Sequence, residues 1–452
     1  MLNEKLEEYL NDKYYPFHMP GHKRNALFTK KFPHYEHDIT EIDEFDDLNN
    51  PHGILDEIQK KCAKIYEVDH SILSVNGSTS CILAAIRALT LKNKNVLISR
   101  ACHKSVYNAL EINNLNATYI MPEFSKEGFY KHIDLKKLER KLAKDDFSIF
   151  VLTSETYEGY MSDVKKIRKI CHKYNTLLVV DAAHSSHLGL FNVFYEKVSK
   201  YSDISIMSFH KNLSGLTQTA VMHINNEKID ISEIKRNMAI FQSSSPSYIL
   251  IESIDYLIEN ISKMKNLFFS LKDNLEELYD VKFKNLKLID DYNKDRTKIL
   301  ISTYNTNISG FDLKRLLKNE KIEIEYASRY FCLLISTVFD NKKGLDHLKN
   351  TLIKIDKKLE FKQNYNEFEF KIPEKSISIY KARTKNSKTI QLDQASNKIS
   401  YDYVYSYPPA IPILAPGEII DYKLIKKLLD SNIKLTNGED LIKKTIRVID
   451  KN

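Results

Sequence analysis

An α/β fold on a mostly parallel sheet is expected for this chain, and three observations predict it. Short, near-continuous apolar runs recur between residues 70 and 225, among them Val96–Ser99, Ser148–Thr153 and Leu177–Val180. Strands covered on both faces read this way. Between them lie stretches with helical spacing, such as Val164, Ile167, Ile170, Cys171 and Tyr174. Strands alternating with helices argue a parallel sheet flanked by helices, a large domain to which smaller α+β domains are added. The third observation is chemical. Asp181 closes one apolar run, and Ser208-Phe209-His210-Lys211 closes another. The C-terminal ends of parallel strands are where such sheets open onto a ligand crevice.

In chain order, Leu2, Leu6, Tyr9 and Leu10 share one face of a short amphipathic helix over residues 1–15. Phe17–Lys23 carries a Pro-Gly turn, and the run from Asp38 to Leu48 is strongly acidic. Such a run is a solvated loop, unless it borders a site, where it attracts cations. Ile54, Ile58, Cys62 and Ile65 mark a helix. The strand Ser71–Val75 then leads through Asn76-Gly77-Ser78-Thr79-Ser80 into a helix with Ile82, Leu83, Ala85, Ile86 and Leu89. A strand, a glycine loop with hydroxyls and a helix suit a phosphate at the helix N-terminus. Ser78 and Thr79 are equally good as plain N-caps.

The βα rhythm continues with Val96–Ser99 and a helix from His103 to Asn113. His103 then projects into the crevice, although a lone histidine there is as readily structural. Further strands are Thr118–Met121, Ser148–Thr153, Leu177–Val180, Asp203–Phe209 and Thr219–Ile224. After them come Ser243–Tyr248 and two helices, Ile249–Asn260 and Ser262–Leu278. Residues 296–358 read β-α-β-β-α, and residues 359–375 are a charged linker. The rest contains Ile377–Tyr380, Ile390–Leu392, a Pro-rich stretch from Tyr407 to Glu418, and a helix and strand up to Val448. The expected division is an N-terminal arm (1–45), a large cofactor domain (46–262), a small α+β domain (263–358) and a C-terminal α+β domain (359–452).

Composition narrows the function. The 452 residues leave room for two or three domains. A net charge of +8 is small against 68 basic and 60 acidic residues, and the lysines are dispersed, so nucleic-acid binding is not expected. No apolar run approaches the ~20 residues of a membrane span, and no signal peptide is read at the N-terminus. Cys62, Cys81, Cys102, Cys171 and Cys332 form no C-x-x-C pair, which fits structural thiols in a reducing cytoplasm and no metal site.

A lysine that forms a Schiff base and an aspartate that faces a pyridinium nitrogen are the two fixed points of a pyridoxal 5′-phosphate site. Lys211 and Asp181 are therefore read as those two groups. Singly, Lys211 is as well explained as a surface lysine and Asp181 as an N-cap; it is their joint order that selects the chemistry.

Several further motifs accompany them: Met19-Pro20-Gly21-His22-Lys23, Asp46-Asp47-Leu48 with Pro51, Ala101-Cys102-His103-Lys104-Ser105, Thr156-Tyr157-Glu158-Gly159, Asp181–His187, Ser245-Pro246-Ser247-Tyr248 and Tyr407–Glu418. With Asn76–Ser80 and Ser208–Lys211 they run nearly end to end, and together they resemble the Orn/Lys/Arg decarboxylases. The likeness is to the shorter bacterial branch without an N-terminal wing. The resemblance implies an aspartate-aminotransferase-like fold, pyridoxal phosphate as cofactor, and decarboxylation of arginine, lysine or ornithine to a polyamine precursor. It implies that Lys211 holds the cofactor and Asp181 faces its ring nitrogen, with His103 and Ala183 on the two ring faces. Ser78, Thr79, Ser208 and His210 are implied around the phosphate, and His184 beside the aspartate or a cofactor oxygen. It also implies a homodimer or larger even homo-oligomer, with Ser245–Tyr248 completing the partner's site. Glu155, Ser185 and Ala410 depart from the family pattern, which has Pro, Gly and Gly there, and Ala182 stands where Glu is frequent.

Two other readings compete with a decarboxylase. One is a different reaction on the same cofactor, an aminotransferase or a lyase. Aminotransferases usually hold the substrate α-carboxylate with an arginine, and only Arg24, Arg100 and Arg329 lie near motifs here. The other is a catalytically degenerate homologue, which predicts loss of the lysine or the aspartate. A basic substrate also needs a carboxylate for its distal cation. Asp38, Glu41, Asp43, Glu44, Asp46, Asp47 and Glu418 are the candidates.

Overall fold

Parallel strands must be covered on both faces, and the sequence supplies strands with no polar side to show. In the computed structural model these strands pair as one seven-stranded sheet. The structure describes residues 15–17, 46–365, 371–406, 410–423, 425–426, 435–436 and 444–450. Apart from Tyr15, which begins a strand, the helix read over residues 1–15 lies outside them, as do the Pro-Gly turn and most of the acidic run.

A short strand β1 (Tyr15–Phe17) precedes helix α1 (Ile54–Tyr66) and strand β2 (His70–Ser74). Then follow α2 (Gly77–Leu89), β3 (Asn95–Ser99), α3 (Lys104–Ile112), β4 (Asn116–Ile120), α4 (Leu135–Leu142) and β5 (Ile149–Thr153). Helix α5 (Val164–Lys173), β6 (Leu177–Asp181), β7 (Ile204–Ser208), a single turn α6 (Phe209–Asn212) and β8 (Ala220–Ile224) complete the sheet. The strand order is β2-β8-β7-β6-β5-β3-β4. Strands β4, β3, β5, β6 and β7 are all parallel neighbours, and β8 runs antiparallel to both β7 and β2. The connection from β7 to β8 carries only the turn α6, too little for a parallel crossover.

Successive residues of a strand face opposite sides. Leu97, Phe150, Leu152, Leu178, Val180 and Met207 accordingly fill one hydrophobic core. Their neighbours Val96, Ile98, Ile149, Val151, Val179 and Ile206 fill a second core on the other face. All five cysteines are free and buried, as structural thiols should be.

Among the helices that were not anticipated are α4 and one that follows β8. In α4 only Leu138 and Leu142 are buried, so its apolar stripe is thin, and Asp134 caps it by accepting from the Lys136 and Lys137 amides. The helix α7 (Ile231–Phe241) is capped in the same way by Asp230 and buries Ile234 and Met238.

The long helices α8 (Tyr248–Asn260) and α9 (Lys265–Tyr279) lead to a four-stranded antiparallel sheet. It contains β9 (Lys287–Leu288), β10 (Lys298–Ser302), β12 (Tyr326–Ala327) and β13 (Phe331–Ile335), and the short β11 (Ile322–Ile324) pairs with β1 instead. Helices α10 (Gly310–Asn319) and α11 (Lys342–Asp356) contribute Leu313, Leu317, Leu345, Leu348 and Leu352 to the first core. The last region has its own small core of Leu392, Val404, Leu414, Ile420, Ile446 and Val448. No helix among the described residues is long and apolar enough to cross a membrane.

Candidate active site

Because β3, β5, β6 and β7 are parallel, their C-terminal ends meet along one edge of the sheet. Asp181 is the last residue of β6, Thr153 the last of β5, and His103 follows the end of β3. Lys211 sits on the turn after β7. These four side chains line one pocket of about 340 Å³, together with Ser78, Ala183 and His184. The other lining residues are Ala101, Lys104, Tyr157, Glu325, Ala410 and Ile411.

Lys211 Nζ lies 3.0 Å from His184 Nε2. Burial, together with the Lys211 charge, keeps His184 far below the usual histidine range, so its Nε2 accepts a hydrogen bond from Lys211. Lys211 itself is pushed down to about 8, chiefly by burial, against which Asp181 pulls it up. Burial raises the Asp181 carboxyl, offset in part by Lys211 and by the Ala183 amide, which donates to Oδ1 at 3.2 Å. His103 is the N-cap of α3. Its Nδ1 accepts from the Ser105 amide at 3.3 Å, and burial followed by the charges of Lys211 and Lys104 lowers it to about 3. His103 is thus a neutral imidazole at the pocket wall. Tyr157 meets His184 edge to face at 5.1 Å and donates to Glu325 Oε1.

The structure brings six of the sequence-read residues to the pocket: Ser78, His103, Asp181, Ala183, His184 and Lys211. Three others do not line it. Thr79 is exposed on the first turn of α2, where Asn76, not Ser78 or Thr79, is the N-cap. Ser208 is fully buried, and the His210 ring lies 3.3 Å from the Thr219 carbonyl.

Of the acidic candidates, Asp46, Asp47 and Glu418 lie among the described residues, and each is engaged within its own chain. Asp46 accepts from the backbone amides of Asp47, His52, Gly53 and Leu55, and so organises the start of α1. Asp47 accepts from the Asn49 amide. Glu418 is only 1% exposed and forms a two-pronged pair with Arg100, at 2.5 and 2.9 Å. None of the three lines the pocket, and Asp38, Glu41, Asp43 and Glu44 lie outside the described residues. The carboxylate that does line it beside Asp181 is Glu325, which sequence reasoning missed. The alternation Ile322-Glu323-Ile324-Glu325 announces a strand with one buried face. Nothing local says what the acidic face meets.

The three departures from the family pattern have a structural setting. The Glu155 amide donates to Ser185 Oγ at 3.1 Å, so these two contact each other. The Glu155 carboxylate pairs with the fully buried Lys298 at 3.1 Å, close to a second buried pair of His187 and Asp295 at 3.0 Å. Ala410 has φ +67°, a left-handed conformation that glycine adopts without strain.

The residues fit pyridoxal phosphate. Ser208 Oγ, Thr153 Oγ1 and His184 Nδ1 are buried and have no hydrogen-bond partner among the described residues. Polar atoms left this way ask for a partner that the described residues do not provide. Gly77 opens α2 at φ +74°, and a Cβ there would meet nothing within 4 Å, so the helix N-terminus faces open space of the kind a phosphate fills.

Comparison with known proteins agrees with this geometry. The family model "Orn/Lys/Arg decarboxylase, major domain" matches residues 2–293, and its C-terminal domain model matches residues 361–435. The arginine decarboxylase of Bacillus subtilis is 28% identical over 461 residues, covering 96% of this chain and 94% of that protein. The arginine decarboxylase of Bacillus anthracis is 26% identical over 469 residues, with the same coverage of 96% and 94%. The fold matches the constitutive lysine decarboxylase of E. coli with a TM-score of 0.78 at 16% identity, over 99% of this chain and 81% of that one. With the major-domain and C-terminal models matched in order over most of its length, the chain belongs to the Orn/Lys/Arg decarboxylase family.

Proposed function

We propose that the protein decarboxylates arginine, lysine or ornithine with pyridoxal phosphate, releasing CO2 and the corresponding amine, a polyamine precursor. The observation that carries this reading is the meeting of Lys211, Asp181 and His103 in one pocket, in a chain of this family. When bound, the cofactor supplies an electron sink for the pair left behind as the Cα–carboxylate bond breaks. Lys211 Nζ would hold it covalently. Asp181 would keep a proton on the ring nitrogen, and His103 and Ala183 would flank the ring. Ser78, Ser208, His210 and Thr79 are the proposed phosphate-side groups. Once released from the cofactor by the substrate amine, Lys211 Nζ would also be the group placed to deliver a proton to Cα where the carboxylate was. Arg100, which directly precedes the pocket-lining Ala101, is committed to Glu418 and is not free to hold a substrate carboxylate.

Glu325 is the proposed partner of the distal cation, since a cation brought into a half-buried pocket needs a carboxylate. Assays of amine and CO2 with arginine, lysine and ornithine test the function, and all three failing with pyridoxal phosphate bound refutes it. Glu325→Gln is expected to raise KM for the preferred substrate about tenfold or more, as loss of a charge-assisted bond should, and to leave cofactor binding intact. An unchanged KM, or norleucine used as well as lysine, overturns this role.

The protein is further read as a cytoplasmic homodimer or higher even oligomer. Buried free thiols support the compartment, and two-fold pairing is the commonest symmetry. Ser243–Ser245 are exposed and available to a partner, whereas Tyr248 is buried and donates to the Asp46 carbonyl of its own chain at 2.6 Å. Sedimentation at assay concentrations should show an even oligomer; a fully active monomer contradicts it, as does fractionation of the protein outside the cytoplasm.

A further inference from the structure

Glu418 does not reach the pocket, and what it does instead is informative. Arg100 directly follows β3 and has no exposed surface. Its guanidinium holds both carboxylate oxygens of Glu418 and donates to the Ile413 carbonyl at 3.0 Å. It also lies 4.9 Å over the Tyr119 ring. Glu418 accepts in turn from the Ala415 amide at 2.8 Å. One buried pair therefore clamps the segment 410–418 of the last region onto the end of β3. The clamp has a second point: the Lys104 amide donates to the Ala410 carbonyl at 3.2 Å.

Both ends of this seam reach the pocket. On one side Ala101, His103 and Lys104 line it, within four residues of Arg100; on the other side Ala410 and Ile411 line it. A carboxylate with both oxygens engaged by one planar guanidinium has little freedom to shift or turn. Taking either charge away leaves the other buried without its partner.

We propose that Arg100 and Glu418 are a positioning pair for the active site, setting His103 and the Ala410–Ile411 wall in register across the seam. Neither residue touches the pocket; they act through the segments they join. The proposal rests on the functional reading above for its substrate arm alone.

The test compares wild type, Glu418→Gln, and the double variant Arg100→Met with Glu418→Leu. Three quantities are read in the full-length protein: hydrogen exchange of residues 100–105 and 410–418, pyridoxal phosphate affinity, and KM for the basic amino acid. Glu418→Gln is expected to speed exchange along the seam and not in β5–β7. KM should rise about tenfold, the usual size of a lost oriented contact, with kcat within about threefold. The double variant replaces a buried pair by apolar groups, a change such sites tolerate. It should regain seam protection and KM together, and it keeps the test open if Glu418→Gln fails to fold. KM or cofactor affinity that moves without seam protection, or seam protection lost with both unchanged, overturns the proposal. A wild-type protein that binds pyridoxal phosphate but turns over none of the three amino acids refutes the functional reading instead. The pair is then judged on exchange and cofactor affinity.

Discussion

Lys211→Ala is expected to abolish the long-wavelength absorption of the pyridoxal-phosphate-loaded protein and its turnover together. The side chain sits in the pocket with Asp181 and His184, and its partial burial lowers it to about 8. A desolvated lysine is an activated nucleophile because more of it is neutral at working pH. The sign follows: burial disfavours the ammonium form, so the neutral amine gains as pH rises toward and past 8. Capture of pyridoxal phosphate by protein stripped of it should therefore accelerate from about pH 6.5 and level off above about pH 8.5. Stopped-flow absorption measures it, and a flat profile over that span removes the proposed state of Lys211. A Lys211→Ala protein that still forms a borohydride-reducible adduct sinks the assignment itself.

The second large effect is expected at Asp181. It is 4% exposed at the end of β6, fixed by the Ala183 amide, and among the described residues the pocket holds no other carboxylate but Glu325. Asp181→Asn keeps the shape and removes the charge that would keep the cofactor's ring nitrogen protonated. Charge placed in advance where charge develops is among the largest contributions to a rate, so kcat should fall about 10²–10³-fold or more. Pyridoxal phosphate should stay bound, because the phosphate-side groups and Lys211 are untouched. Absorption titration and turnover read the two quantities separately. Near-normal turnover with asparagine at 181 rules out this role.

The central strands were legible because each is a short apolar run, and a run without polar positions has to lie between two covered faces. Their ends were legible to within about two residues, and that was enough to put Asp181 and Lys211 on one edge of the sheet. Helix α4 was not read, because two buried leucines make a thin stripe beside so many lysines. Strand β1 was not read either: its three residues gain their pairing from β11, some 300 positions later. Glu418 was read as a candidate for the substrate's cation. A glutamate in a Pro-rich segment shows its charge and not its partner, and the partner is Arg100, 318 residues away. Glu325 went unnoticed for the opposite reason, as one of several acidic residues on a polar strand face.

The sequence by itself determined the parallel sheet and the placing of a lysine and an aspartate at its edge. Both depend on local patterns, the two-residue alternation of a strand and the residue type at its end. The tertiary structure alone decided which carboxylate enters the pocket, which one is buried against Arg100, and that the last region supplies a wall of the site. Periodicity records that a face is buried, and the docking of distant segments settles what it is buried against.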